Sequence, residues 1–106
     1  MSSSLDKRWE LDAVDGMIFD EGLRIRSVHM DKGLDLMLII LSNKKILKRN
    51  IGMASVLKNA TEEQLKNFTI SRTGIHWPDL DEDLSLRGFL KEEMLNAIKK
   101  DFSLAD

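Results

Sequence analysis

An acidic segment in the last third of the chain is the first candidate for chemistry. Residues 79–83 read Asp-Leu-Asp-Glu-Asp, and alternating aspartates open the calcium loop of an EF-hand. With Asp79 as position 1, that loop needs glycine at position 6 and glutamate at position 12, where this chain has Leu84 and Leu90. We therefore interpret the segment as a turn whose carboxylates cap and favour the N-terminus of the next helix, and we expect no metal site.

His76 lies just before this acidic segment, and its pairing with Asp79 would suggest an acid–base pair or part of a metal site. A working site needs several groups that converge on a cavity, and no nucleophile or second histidine lies nearby in the sequence. Because neighbouring residues of a strand face opposite sides, we expect Trp77 to be buried and His76 to be half exposed. We therefore favour a structural role for this histidine.

A basic segment in the middle of the chain contains no acidic residue between its ends. Its cations are Lys44, Lys45, Lys48, Arg49 and Lys58. Such a cluster is typical of a nucleic-acid surface, and equally of a strand edge on which lysine prevents unwanted pairing. No aromatic residue is interleaved with these cations and the chain has no tyrosine, so base stacking lacks its usual platform. We favour edge protection and keep nucleic-acid binding as the alternative.

The composition excludes several classes of chemistry. The chain of 106 residues has no cysteine, which rules out disulfides, thiolate metal sites and cysteine nucleophiles. Its glycines form neither a dinucleotide-binding nor a phosphate-binding motif, and we expect no cofactor. The first twenty residues are too charged for a signal peptide, and the longest apolar run, residues 36–41, is too short to span a membrane. The default expectation is a cytoplasmic protein.

The hydrophobic pattern of residues 23–51 predicts three strands. Residues 23–28 alternate apolar and polar side chains, as a half-buried strand does. Residues 34–41 are apolar on both faces, which predicts a central strand covered on both sides. Residues 44–51 form a third strand, in which we expect Ile46 and Leu47 to face inward. Short turns between these strands imply an antiparallel meander.

Helical signals and two further strands follow the meander. Thr61 and Gln64 have the spacing of a capping box, in which each side chain binds the backbone N–H of the other. Residues 68–70 and 74–77 then read as strands, and Pro78 ends the second of them because proline cannot donate to a ladder.

The two ends of the chain predict a weak hairpin and an amphipathic helix. Asp15-Gly16 offers a turn between residues 9–14 and 17–19. The final helix is capped by Ser85 or Asp83, and its apolar residues fall mostly on one face. These residues are Leu86, Phe89, Leu90, Met94, Leu95 and Ile98. The predicted fold is therefore α+β: one domain, residues 1–106, with an antiparallel β-meander, short helices and a C-terminal amphipathic helix.

Residues 74–90 resemble a family signature. They read Gly-Ile-His-Trp-Pro-Asp-Leu-Asp-Glu-Asp-Leu-Ser-Leu-Arg-Gly-Phe-Leu, which is similar to the closing block of a mostly bacterial family, domain-of-unknown-function family 2442. The resemblance covers residues 23–90 and leaves an N-terminal extension 1–22 and a C-terminal helix extension 91–106. It implies that some members are fused to a helix-turn-helix region, whereas others are encoded beside a second small protein in toxin–antitoxin-like pairs. It supplies no catalytic residues, and we expect residues 91–106 to be too few for an added DNA-binding region.

Three functional hypotheses remain at this point. The leading hypothesis is a non-enzymatic protein-interaction or regulatory module, with the antitoxin-like partner of another small protein as one form. Its first candidate contacts are Asp79, Asp81, Glu82 and Arg87. The alternative is weak nucleic-acid binding through the basic strand, whose candidate contacts are Lys44, Lys45, Lys48 and Arg49. The third is an enzyme built on His76, which requires a pocket with at least two of the three aspartates of the acidic segment turned into it. An exposed strand edge or an apolar patch on the last helix would also support a homodimer.

Overall fold

The structure is a computed structural model, and it describes the backbone of residues 13–105 and the side chains of residues 13–99. Within these ranges it contains two antiparallel sheets of three strands, with the orders β1-β2-β3 and β4-β5-β6. The strands are β1 (Ile25–Asp31), β2 (Leu36–Leu41), β3 (Ile46–Arg49), β4 (Thr69–Ser71), β5 (Gly74–Trp77) and β6 (Glu82–Ser85). The helical elements are a π-helical turn (Gly16–Asp20), a 3-10 turn (Ile51–Met53), α1 (Ser55–Lys58), α2 (Glu62–Lys66) and α3 (Leu86–Ala105). The predicted α+β fold with an antiparallel meander and a C-terminal helix is confirmed.

The first sheet buries the apolar side chains of one face. Met37, Ile39 and Leu41 of β2 alternate with residues that are only half-buried, because successive side chains of a strand point to opposite faces. Ile39 pairs with Val28 of β1 and Leu47 of β3, and all three side chains are buried. The predicted central strand is therefore correct, but its second face is covered only in part.

Ile46 faces away from the core. The prediction that both Ile46 and Leu47 face inward is wrong for Ile46, which is 57% exposed whereas Leu47 is 1% exposed. Two neighbouring residues of a strand cannot reach the same face, and the register places Ile46 opposite Ile40 on the outer face.

The turn between β2 and β3 sets the register of the third strand. The Lys44 N–H donates to the Leu41 carbonyl at 2.9 Å, and the Leu41 N–H donates to the Lys45 carbonyl at 2.9 Å. Lys44 has a φ of 74°, in the left-handed region. This is a type I turn followed by a G1 bulge, and it agrees with the turn predicted at Ser42-Asn43.

The second sheet is anchored by a buried tryptophan. Trp77 of β5 is 0% exposed, and its Nε1–H donates to the Leu65 carbonyl of α2 at 2.9 Å. The helix that supplies this carbonyl begins at the predicted capping box: Thr61 Oγ1 accepts from the Gln64 N–H at 3.1 Å, and Gln64 Oε1 accepts from the Thr61 N–H at 3.0 Å. At Gly74 a Cβ atom would collide with the Leu84 carbonyl oxygen, so β5 and β6 approach closely only with glycine there.

Residues 13–20 are helical, so the predicted hairpin around Asp15-Gly16 is wrong in this part of the chain. Val14 and Ile18 lie four residues apart and are both buried, which is the spacing of one helix face and not of a strand. Residues 9–12 of the predicted hairpin lie outside the described residues.

Only the first turns of α3 pack against the core. Ser85 Oγ accepts from the Gly88 N–H at 3.0 Å, so Ser85 is the cap and the alternative, Asp83, is wrong. Leu86, Phe89 and Leu90 are buried, whereas Leu95 and Ile98 are 40% and 45% exposed. A helix of this length extends roughly 30 Å, and its described side chains after Met94, residues 95–99, are exposed. Among the described residues, no helix combines the length and apolar character that a membrane crossing requires.

Candidate functional site

The acidic segment forms the β5–β6 hairpin turn and the start of β6. Asp81 lies in the turn with a φ of 50°, which aspartate tolerates better than most residues. Asp79 Oδ2 accepts a hydrogen bond from Asn67 Nδ2 at 2.7 Å, and Glu82 Oε1 accepts one from the Asp83 N–H at 3.2 Å. The predicted turn is correct, but the predicted capping of the next helix is wrong because β6 separates the turn from α3.

Arg87 lies apart from the other candidate contacts of the acidic segment. Its Nη2 donates to Asp15 Oδ1, which joins the start of α3 to the N-terminal helical segment. Asp81 and Arg87 lie beyond opposite ends of β6, whose four residues span roughly 13 Å at the rise of a β-strand. The structure therefore does not bring Asp79, Asp81, Glu82 and Arg87 together on one surface.

His76 pairs with an aspartate other than the one that the sequence suggests. His76 Nδ1 lies 2.7 Å from Asp83 Oδ1 across the β5–β6 ladder, and both side chains are substantially solvent-exposed. The expected arrangement of a buried Trp77 and a half-exposed His76 is confirmed.

A shallow depression of about 290 Å³ surrounds this pair. Asp83 is the one aspartate of the acidic segment that lines it, whereas the enzyme hypothesis requires at least two. Ser71 and Ser85 also line it, but Ser85 Oγ caps α3 and Ser71 Oγ accepts from the Thr73 N–H at 3.3 Å. Among the described side chains, no three histidine, aspartate or glutamate residues are grouped to hold a metal ion. The geometry thus gives the enzyme hypothesis no support.

The basic segment lies at the open edge of the first sheet. Lys44, Lys45, Lys48 and, on α1, Lys58 are exposed. Arg49 differs, because its side chain is 10% exposed and its guanidinium contacts Glu92 at 3.1 Å and Glu93 at 3.0 Å. The same group lies 5.7 Å from the centroid of the Phe89 ring. Arg49 therefore fastens β3 to α3, and three lysines remain as exposed cations of the candidate nucleic-acid strand.

The outer face of the first sheet is an apolar surface that the sequence pattern did not predict. It consists of Leu36, Leu38 and Ile40 of β2, all half-buried, together with the exposed Ile46 of β3. We call these four residues the outer patch. In the described part of the chain, α3 has its main contacts with β5 and β6, and the first sheet meets the second mainly through β1 and β4. In residues 46–49 each face of the strand carries one apolar and one basic residue, so this segment of the sequence gave no signal for the patch.

The fold defines a small α+β domain, and comparison with known proteins assigns its family. The model of the family described as "Protein of unknown function (DUF2442)" matches residues 25–94, so the chain belongs to this family. The resemblance seen in the sequence is confirmed. No curated protein matches the chain.

Two solved structures are similar to this chain. The solution NMR structure of an uncharacterized protein from Chromobacterium violaceum has a TM-score of 0.61 and 30% identity, and the match covers 76% of each chain. The crystal structure of a protein of unknown function from Rhodospirillum rubrum has a TM-score of 0.56 and 28% identity, over 64% of this chain and 84% of that one.

Proposed function

We propose that this protein is a non-enzymatic protein-interaction module of the cytoplasm, and that another small protein docks on the outer patch. The observation that carries this proposal is the apolar outer face of the first sheet, on which Ile46 is 57% exposed. Contiguous exposed apolar surface is unfavourable for a protein that acts alone, and it is typical of interaction sites.

The surroundings of the outer patch also resemble an interface. The paired residues of β1 on the same face are Ser27, His29 and Asp31, and Lys48 lies on the β3 side. An apolar centre enclosed by polar and charged side chains is the usual anatomy of a protein–protein contact, because the rim stays hydrated while the centre is desolvated.

The finer form of the proposal is an antitoxin-like or regulatory role. It is supported by the family resemblance, which implies that some members are encoded beside a second small protein. In this form the outer patch binds that protein, and the exposed acidic residues of the β5–β6 turn are a second, weaker contact.

A pull-down with matched variants tests the proposal. The tagged protein is incubated with lysate of its own host at physiological salt, with and without nuclease, and bound proteins are identified by mass spectrometry. The test variant carries Ile40→Thr and Ile46→Thr, which keep β-branched side chains but make the outer patch polar. The control carries Ile70→Thr and Val56→Thr, at positions that are 38% and 41% exposed elsewhere on the molecule.

The proposal predicts one stoichiometric small protein that survives nuclease, binds the control variant and is lost with the test variant. Equal capture by both variants would show that the outer patch is not the contact surface. If the captured protein is instead lost when the four acidic-segment candidates are changed to alanine, the contact belongs at the β5–β6 turn.

Weak nucleic-acid binding remains the second candidate, because Lys44, Lys45 and Lys48 are exposed at one strand edge. It predicts retention that falls steeply with salt, since each neutralised phosphate releases counterions. If nuclease treatment removes the captured partners from the wild type and from both variants, the result would favour nucleic-acid binding over the interaction module.

A further inference from the structure

β3 is an open edge strand of the first sheet. The sheet has the order β1-β2-β3, so β3 is paired on one side only within the described part of the chain. An open edge presents backbone N–H and C=O groups that another strand can bind.

The register identifies the groups that point away from β2. In an antiparallel ladder the residues alternate between those bonded to the neighbouring strand and those directed outward. Because the Lys45 carbonyl accepts from the Leu41 N–H, Lys45 faces β2, and Leu47 and Arg49 follow it at intervals of two. The N–H and C=O of Ile46 and Lys48 therefore point toward the open edge.

One of these four groups is already occupied. Arg49 Nη1 donates to the Lys48 carbonyl at 2.9 Å, and the guanidinium is held in place by its two glutamate partners on α3. The Ile46 N–H, the Ile46 C=O and the Lys48 N–H have no hydrogen-bond partner among the described residues. Arg49 thus closes one end of the edge and leaves a short docking segment centred on Ile46.

The charges beside this segment determine what fits it. Lys44, Lys45 and Lys48 flank Ile46, the described residues of β3 and its turn include no carboxylate, and the carboxylates of Glu92 and Glu93 on α3 are paired with Arg49. A second copy of this chain is a poor occupant, because antiparallel pairing of two β3 strands would bring these lysines together. A nucleic acid would leave the backbone groups of the edge unused and find no aromatic side chain on β3.

We infer that the partner adds an extended acidic segment to β3 as a fourth strand of the first sheet. This inference rests on the proposed function, because the added strand would extend the outer patch. Its residue beside Ile46 on the outer face is apolar, whereas carboxylates lie near Lys44, Lys45 and Lys48. Main-chain hydrogen bonds supply the affinity and the alternating side chains supply the selectivity.

A peptide-binding experiment on the whole protein tests the inference. The probe is a fluorescein-labelled eight-residue peptide in which Val-Val-Glu-Glu is repeated, so that valine and glutamate alternate along each face of a strand, with valine beside Ile46 and glutamate beside Lys48. The comparison probes are the lysine–valine peptide, an octaglutamate peptide and a single-stranded DNA of equal charge. Fluorescence anisotropy measures the four dissociation constants at one salt concentration.

Two pairs of variants separate the backbone contribution from the side chains. Ile46→Pro and Ile46→Ala both remove the isoleucine side chain, but only proline removes the N–H, and it does so without breaking the ladder to β2. The triple variant Lys44→Gln, Lys45→Gln, Lys48→Gln removes the charges and keeps every backbone group. Far-UV circular dichroism and the unfolding midpoint confirm that each variant is folded.

The inference predicts that the glutamate–valine peptide binds most tightly. It also predicts that Ile46→Pro weakens this binding at least tenfold relative to Ile46→Ala, and that the triple glutamine variant weakens it about tenfold. Equal binding by the proline and alanine variants, preference for octaglutamate or DNA, or no binding of the glutamate–valine peptide would each overturn strand addition. These failures are distinguishable from failure of the proposed function, since a host partner that is captured by the wild type and lost with the Ile40→Thr, Ile46→Thr variant would still identify the outer patch.

Discussion

Isoleucine-to-alanine changes on the two faces of the first sheet should have very different costs. Ile39 is 0% exposed, and removing about three carbon groups at about 0.8 kcal/mol each, with a cavity left behind, should cost about 3–4 kcal/mol. Ile46 is 57% exposed, so its truncation should cost about 1 kcal/mol and leave no enclosed cavity. Both changes replace a β-branched residue in a strand with alanine, so the loss of strand propensity is common to both and cancels in their difference. The expected difference in the free energy of unfolding is about 2–3 kcal/mol.

Urea unfolding followed by far-UV circular dichroism measures this difference. The two variants and the wild type should share one slope against urea, so that the change in midpoint reports stability alone. Ile40→Ala is the intermediate control, because Ile40 lies on the outer face but is half-buried. If Ile46→Ala costs as much as Ile39→Ala, the outer face is covered in the protein alone, and the argument for a docking surface fails.

The remaining predictions use the same unfolding measurement. Thr61→Ala should lower the free energy of unfolding by about 1 kcal/mol because it removes the hydroxyl that accepts from the Gln64 N–H. An unchanged midpoint would show that the capping box does not stabilise α2. Lys44→Gly should raise the free energy of unfolding by about 0.5–1 kcal/mol, since glycine adopts the positive φ without the steric cost that lysine carries; a loss of stability would contradict the G1 bulge. Arg49→Gln should cost about 1–2 kcal/mol through its lost contacts with Glu92, Glu93 and Phe89, whereas Lys48→Gln should stay within about 0.5 kcal/mol. Equal effects of these two changes would contradict the distinction between a fastening arginine and an exposed lysine.

The elements that the sequence predicted correctly are those determined by local pattern. The alternation that runs into β1, the apolar run of β2, the capping box at Thr61 and the proline after Trp77 each act within a few residues. The hairpin predicted around Asp15-Gly16 is wrong because the prediction relied on the Asp-Gly turn dipeptide. The buried residues Val14 and Ile18 are four residues apart, and this spacing indicates a helix.

The candidate site was less predictable, because it depends on tertiary neighbours. The pairing of Arg49 with Glu92 joins residues far apart in sequence, so the basic strand appeared to have one more exposed cation than it has. The partner of His76 is Asp83, which lies directly opposite on the next strand. Proximity in sequence favoured Asp79 instead, because the strand pairing is not visible in the sequence. The outer patch was not predictable for a similar reason. Both faces of β2 are apolar, so the sequence does not show which face the rest of the protein covers.

Site-specific photo-crosslinking in the host tests the central claim most directly. A photoreactive phenylalanine analogue is placed at position 46 in one variant and at position 70, an isoleucine on the second sheet, in another. The account predicts one discrete crosslinked protein from position 46 that resists nuclease, and none from position 70. Crosslinks to nucleic acid alone from position 46, or the same protein crosslinked from both positions, would contradict a partner that docks on the outer patch.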